Sequence, residues 1–311
     1  VRGLVALAVG LLALAGLGDA GSPEPRLPAR FRDIGGRSGK LLVLLETREG
    51  LAELERAGLR VTIEEPGVYP FEWPTGWPPT HVKSGASVIL LTPFSEKRDG
   101  RIGAYVLGSW PNESSAGESS PTATPTATAA AAWAAGRAAY ALPRGFVKVT
   151  KTTAATRVSE HFRLRDFLTK DQPNVWPKYL VLDLRLVDKL ELLIATLREA
   201  GHPVKGLHVM SGFRTPRYNA RDVGPGNRSA VSRHMYGDSA DVYPDDDGDG
   251  RLDDLNGDGC VDPADARIVA DAAERVEKAH PDLAGGISVY PATAAHGPVV
   301  HVDTRGRRAR W

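Results

Sequence analysis

Three polar residues stand far apart in the chain but in settings that suit one site. His234 and Asp241 lie in "SRHMYGDSAD" (Ser232–Asp241), and His301 lies in "VVHVD" (Val299–Asp303). His234 and Asp241 are not the i, i+4 helical pair of an HExxH zinc site. Gly237 stands between them and permits a turn that folds His234 back toward the strand opened by Asp241. In "ADVY", Asp241 and Tyr243 face one way while Ala240 and Val242 face the other. In "VVHVD", Val299, His301 and Asp303 share a face, and Val300 and Val302 pack behind. Two neighbouring strands can therefore offer polar residues to one site from an apolar sheet. Zinc suits the set, because a catalytic zinc takes three protein ligands, commonly His with a carboxylate, and keeps a fourth position for water. Such a water ionises near neutral pH, and the ion polarises a carbonyl. On spacing alone, ordinary surface or hydrogen-bonded roles for these residues remain open. The single cysteine, Cys260, excludes both a Cys-rich zinc site and an internal disulfide.

A second cluster is acidic: "DDDGDGRLDDLNGDGCVDPAD" (Asp245–Asp265). Asp254, Asn256, Asp258, Gly259, Asp262 and Asp265 fall at positions 1, 3, 5, 6, 9 and 12 of a calcium loop. Cys260 takes position 7, where only a backbone carbonyl is needed. An overlapping register starts at Asp245 and continues through Asp247, Asp249, Gly250 and Asp253. It ends on the neutral Asn256 and is the weaker of the two. So many carboxylates in so short a stretch repel one another unless a cation lies among them. A solvated acidic turn is the alternative.

The elements that must carry these residues read as follows. Leu184, Val187, Leu190, Leu193, Ile194 and Leu197 share one face of a helix over Leu184–Ala200, closed by Gly201. "GLHVMSGFRT" (Gly206–Thr215) reads as a strand entering a loop, and "SADVY", Ile287–Tyr290 and "PVVHVD" read as further strands. Ala266–Lys278 reads as a second long helix. The predicted class is α+β, a small antiparallel sheet flanked by helices. Upstream, the apolar runs Leu41–Leu45, Leu59–Ile63, Val88–Leu91 and Ile102–Leu107 predict a β-rich amino-terminal domain, with a short helix at Leu51–Ala57.

With 311 residues, 42% apolar and 25% charged, the chain has the composition of a soluble globular protein, and its net charge of +1 does not favour nucleic acid. Residues 1–20 have one early charge, an apolar run and small residues at the end, the pattern of a signal peptide. An uncleaved anchor is the alternative. After cleavage no segment inserts stably in a membrane, and the expected location is secreted or cell-envelope. Residues 21–38 read as disordered, 39–110 as the β-rich domain, 111–132 as a low-complexity insertion or linker, 133–150 as a connection and 151–311 as the principal domain with insertion 245–265. Tyr69, Phe71, Trp73 and Trp77 can stack on sugar rings or simply pack in a Pro-rich loop. The closing "TRGRRARW" reads as a solvated tail, or as a docking site for an anionic polymer.

Ser232–Asp241 matches the Ser-x-His-x-x-Gly-x-x-x-Asp pattern of the M15-type zinc peptidases, the D-Ala-D-Ala carboxypeptidase and murein endopeptidase group. "MSGFRTPRYN" (Met210–Asn219), "VSEHFRLRDFLTKD" (Val158–Asp171) and "VVHVD" resemble that family too, and together the resemblance spans about half the chain. It implies zinc ligands His234, Asp241 and His301, and an Arg214 beside the substrate that stabilises an oxyanion or a carboxylate, with a structural ion pair as the other role open to Arg214. The family's general base is Glu or Asp three residues before the last ligand, or His two before it. Those places hold Pro298 and Val299, which cannot move a proton. Asp303 and His296 are the substitutes in reach. Asp303 can instead orient His301 or bind a substrate amine. The acidic loop resembles dockerin-type calcium loops, with Asp265 in place of Glu. The resemblance implies an exported zinc peptidase acting on peptidoglycan stem peptides or cross-links, with structural calcium. A non-catalytic envelope-binding protein and a calcium-dependent interaction module are the competing readings.

Overall fold

The computed structural model describes residues 42–45, 65–70, 87–93, 100–110, 140–223, 228–294 and 296–311. The expected signal peptide, residues 21–38, the Leu51–Ala57 helix, the Leu59–Ile63 run, Phe71, Trp73, Trp77 and the low-complexity stretch lie outside these residues.

Helices and several small sheets mix around a shared core. The first strands are β1 (Leu42–Leu45), β2 (Gly67–Pro70) and β3 (Ser87–Leu90), ordered β1-β3-β2. β4 (Thr92–Pro93) pairs with β7 (Gly145–Val149), which pairs with β8 (Lys178–Leu180). The Ile102–Leu107 run is a hairpin rather than one strand, β5 (Arg101–Ile102) and β6 (Tyr105–Val106), because Gly103 turns the chain with φ +56°. This segment reaches the later chain: Trp110 Nε1 donates to the Met235 carbonyl at 2.9 Å, and Arg217 N donates to the Leu107 carbonyl.

The sheet that carries the site runs β13-β11-β12-β10-β9. Its strands are β9 (His208–Ser211), β10 (Ser239–Tyr243), β11 (Gly286–Tyr290), β12 (Val299–Asp303) and β13 (Ala309–Arg310). It is antiparallel except for β13, which joins β11 in parallel. The closing basic segment is therefore docked, not a solvated tail. Arg308 and Arg310 pair with Glu274, Arg310 also with Glu277, and Arg305 with Asp303.

Helix α1 (Leu184–Glu199) begins where the Asp183 carboxylate accepts from Arg185 N and ends before Gly201 at φ +90°. A one-turn α2 spans Pro216–Asn219. Helix α3 (Pro263–Ala279) starts three residues before the apolar pattern does. Asp262 caps it, Asp265 completes a capping box, and Pro263 takes the first turn, where its missing N–H costs nothing. α3 packs on β11 and β12, and α1 packs on α3. The strand residues alternating with the polar ones, among them Ala240, Val242, Ile287, Val300 and Val302, are fully or nearly fully buried. Removing that apolar surface from water contributes on the order of 25 cal/mol per Å², and it fixes which sheet face carries the polar residues.

Candidate metal centre

The register of four strands sets the site. Asp241 of β10 faces His301 of β12 on one side and Ser211 of β9 on the other, and Ser288 of β11 faces His301. Ser288, His301, Asp241 and Ser211 thus form one polar row across the sheet.

His234 reaches this row from a 3-10 turn, Arg233–Tyr236, closed by Gly237 at φ +71°. A Cβ on Gly237 would lie 2.3 Å from the Val181 carbonyl oxygen, so no other residue fits that turn without moving the neighbouring chain. Arg233 pairs with Asp238 across the turn, and its guanidinium lies over the rings of Tyr140 and Tyr236. Arg214 N donates to the His234 carbonyl at 3.0 Å.

His234, Asp241 and His301 are all buried, and one ligand atom from each lies within 4.8 Å of the others. His234 Nε2 is 3.2 Å from Asp241 Oδ1, and His301 Nδ1 is 2.9 Å from the same oxygen. Tetrahedral zinc bonds of 2.0–2.1 Å imply ligand atoms about 3.3 Å apart, so the cluster is of the right size.

The proton inventory tests whether a cation fits. His234 Nδ1 is 2.7 Å from the Gly212 carbonyl, which can only accept. Burial pushes the His234 imidazole down to about 4, so the ring is neutral and its one N–H goes to Gly212. Nε2 then presents a bare lone pair to the carboxylate Oδ1, another acceptor. Two buried acceptors at this separation repel unless a cation lies between them. The Arg214 guanidinium pairs with the second oxygen of Asp241 at 2.6 Å and favours its charged form. Asp241 is therefore ionised and ready to bind. The cluster could hold a metal ion through His234 Nε2, Asp241 Oδ1 and His301 Nδ1.

The other expected residues divide. Asp303 is fully buried beneath His301, with Oδ2 3.2 Å from His301 Nε2. Its Oδ1 accepts from Gly286 N at 2.8 Å and Arg305 N at 3.1 Å, and the Arg305 guanidinium grips both oxygens. Burial opposes its charge, yet His301 and Arg305 hold its carboxyl far below the usual range. Arg214 donates from Nη2 to Asp241 Oδ2 at 2.6 Å and from Nε to Ser211 Oγ at 2.8 Å. It fixes the Asp241 carboxylate with one oxygen toward His234 and His301. The His296 ring instead hydrogen-bonds the Gly297 carbonyl at 2.6 Å. Among the described residues, no hydrogen bond or ion pair joins it to the triad.

No protein-family model matches the chain, and neither does any curated protein or solved structure. Geometry and donor chemistry therefore carry the functional argument.

Sequence reasoning missed Ser211, Ser288, Tyr290 and Trp311. Strand alternation around His301 and Asp241 was the available signal for the two serines. Trp311 gave none, yet its ring centroid is 5.3 Å from that of His301.

The acidic insertion folds as two loops of one pattern. Gly250 N donates to Asp245, and Gly259 N to Asp254, its counterpart nine residues on. Asp249 N and Asp258 N donate to Asp247 and Asn256, and Arg251 N and Cys260 N to Asp249 and Asp258. The carboxylates that gather within 4.8 Å are Asp245, Asp247 and Asp253, the register ranked second from sequence. In the favoured register, Asp265 is buried and accepts from Leu255 N, Asn256 N and Asp262 N. Its carboxylate thereby serves the start of α3. Asp262 accepts from Ala264 N, and Cys260 is exposed. This acidic cluster could also hold a metal ion.

Proposed function

We propose that the chain is an exported, zinc-dependent peptidase that hydrolyses peptide bonds of peptidoglycan stems or cross-links, bonds that contain D-amino acids. The observation that carries this reading is the meeting of His234 Nε2, Asp241 Oδ1 and His301 Nδ1 with no proton for His234 and Asp241 to share. When bound, zinc supplies a Lewis acid and an acidified water. The residues around it hold and orient. Gly212 fixes the His234 tautomer, Asp303 fixes that of His301, and Arg214 holds Asp241 by its second oxygen. The resemblance of Ser232–Asp241, Met210–Asn219 and Val299–Asp303 to murein peptidases supports the substrate class, and the signal-like residues 1–20 support export. Calcium in the acidic loops would stiffen the insertion that separates Asp241 from His301.

The test is zinc content and cleavage of isolated muropeptides by the purified chain. One zinc per chain with cleavage, both lost in His234→Ala, is the expected result. A second reading, a metal-bound envelope-binding protein without catalysis, draws on the commitment of Asp303 to His301 and Arg305. Stoichiometric zinc with no cleavage of any muropeptide favours it.

A further inference from the structure

Cutting a peptide bond places negative charge on its carbonyl oxygen, and a donor aimed at that position lowers the barrier. Arg214, the residue expected for this task, has Nε and Nη2 engaged by Ser211 and Asp241.

Tyr290 stands beside the triad. Strand alternation puts it on the face of Ser288, which lies opposite His301. Its ring meets the His301 ring edge-on, with centroids 6.4 Å apart. Tyr290 is partly exposed, whereas the triad is buried.

The Tyr290 hydroxyl is 3.0 Å from Trp311 Nε1. An indole N–H can only donate, so the tyrosine oxygen is the acceptor in that bond. Its own O–H is left to donate elsewhere. Trp311 is itself held: its main-chain oxygen accepts from Ser288 Oγ at 2.6 Å, and the Arg305 guanidinium lies 5.3 Å over its ring. An ordinary phenol keeps its hydrogen at neutral pH.

We infer that Tyr290 is a further catalytic residue of this centre, its O–H donating to the carbonyl oxygen of the bond being cut. Trp311 is the positioning residue that occupies the tyrosine lone pair and turns its hydrogen toward substrate. No bond forms to Tyr290 and no proton leaves it. The inference rests on the peptidase reading for its substrate.

The experiment compares the zinc-loaded full chain with Tyr290→Phe and Trp311→Phe. Three quantities are read: zinc content, muropeptide turnover, and calorimetric affinity for a phosphinate dipeptide whose tetrahedral oxygens carry the relevant charge. Tyr290→Phe keeps its zinc and loses about 100-fold in kcat with little change in KM. It also binds the phosphinate at least about tenfold more weakly. Trp311→Phe shows a smaller loss of the same kind. A Tyr290→Phe protein equal to wild type in turnover and phosphinate affinity overturns the inference, and so does one that loses zinc. If wild type cleaves no muropeptide, the peptidase reading falls separately. The phosphinate comparison then decides Tyr290 by itself: weaker binding upholds its donor role, and equal or absent binding in both proteins overturns it.

Discussion

Asp303 has little capacity left to take a proton. Its oxygens receive Gly286 N, Arg305 N, the Arg305 guanidinium and His301 Nε2. Even Gly286 is cut to fit, because a Cβ there would lie 2.4 Å from Asp303 Oδ2. A carboxylate so engaged fixes the orientation of His301 and leaves Nδ1 facing Asp241. Asp303→Asn is therefore expected to weaken zinc binding by about 10- to 100-fold, measured by competition with a chromogenic chelator, and to regain cleavage at saturating zinc. Unchanged zinc affinity with cleavage lost at every zinc concentration would instead make Asp303 the base. Glycine spacing and strand alternation are one-dimensional signals that let the triad be read as three residues able to meet, and the resemblance to murein peptidases chose among the roles that spacing left open. Which nitrogen of each ring faces Asp241 was not legible, because it depends on Gly212 and Asp303, partners that only the folded sheet brings together.

The acidic insertion is an element whose backbone is organised by its own carboxylates. Asp253 shows the strain of that arrangement: partial burial, joined by neighbouring Asp245, Asp246 and Asp247, pushes its carboxyl up against the pull of a hydrogen bond from Asp246 N. A carboxyl raised in the folded state costs stability as pH rises through the carboxylate range, and a bound cation removes that cost. The rise in melting temperature on adding calcium is thus expected to grow between about pH 4 and 6, where these groups ionise. Thermal melts with calcium or a calcium-selective chelator, zinc retained, measure it; no calcium effect on melting or protease resistance at any pH would remove the stiffening role. The insertion was recognisable by residue type alone. Its better-gathered register was not, because Asp265 is drawn into capping α3. Helix α1 was legible almost to the residue, since its apolar face and its terminal glycine are both periodic cues. β13 was hidden, because two residues between arginines carry no alternation, and its pairing comes from β11 and from Glu274 and Glu277.

Across the molecule, one buried charge cluster ties the helices to the site sheet. Lys189 of α1 is fully buried, 2.6 Å from Glu277 of α3 and 2.7 Å from the Asp303 carbonyl. Glu277 also accepts from Gly285 N and from Arg310. Burial lowers the Lys189 ammonium and Glu277 opposes that, so the pair is held by mutual need. Lys189→Met strands the carboxylate and is expected to cost about 3–5 kcal/mol in urea unfolding of the zinc-free chain. Lys189→Met with Glu277→Leu should recover much of the loss, and a double variant no better than the single one would refute the pairing. The row Ser288–His301–Asp241–Ser211 has a consequence of its own. Hairpin loops around it can lengthen or shorten freely, provided the strands keep step. A slip of one residue in β12 would swing His301 to the helix-covered side with every ligand still present in the sequence. Searching distant chains for a His, an Asp and a His in order would then count proteins that have lost the centre; the parity of the spacing within each strand is the better mark of one that has kept it.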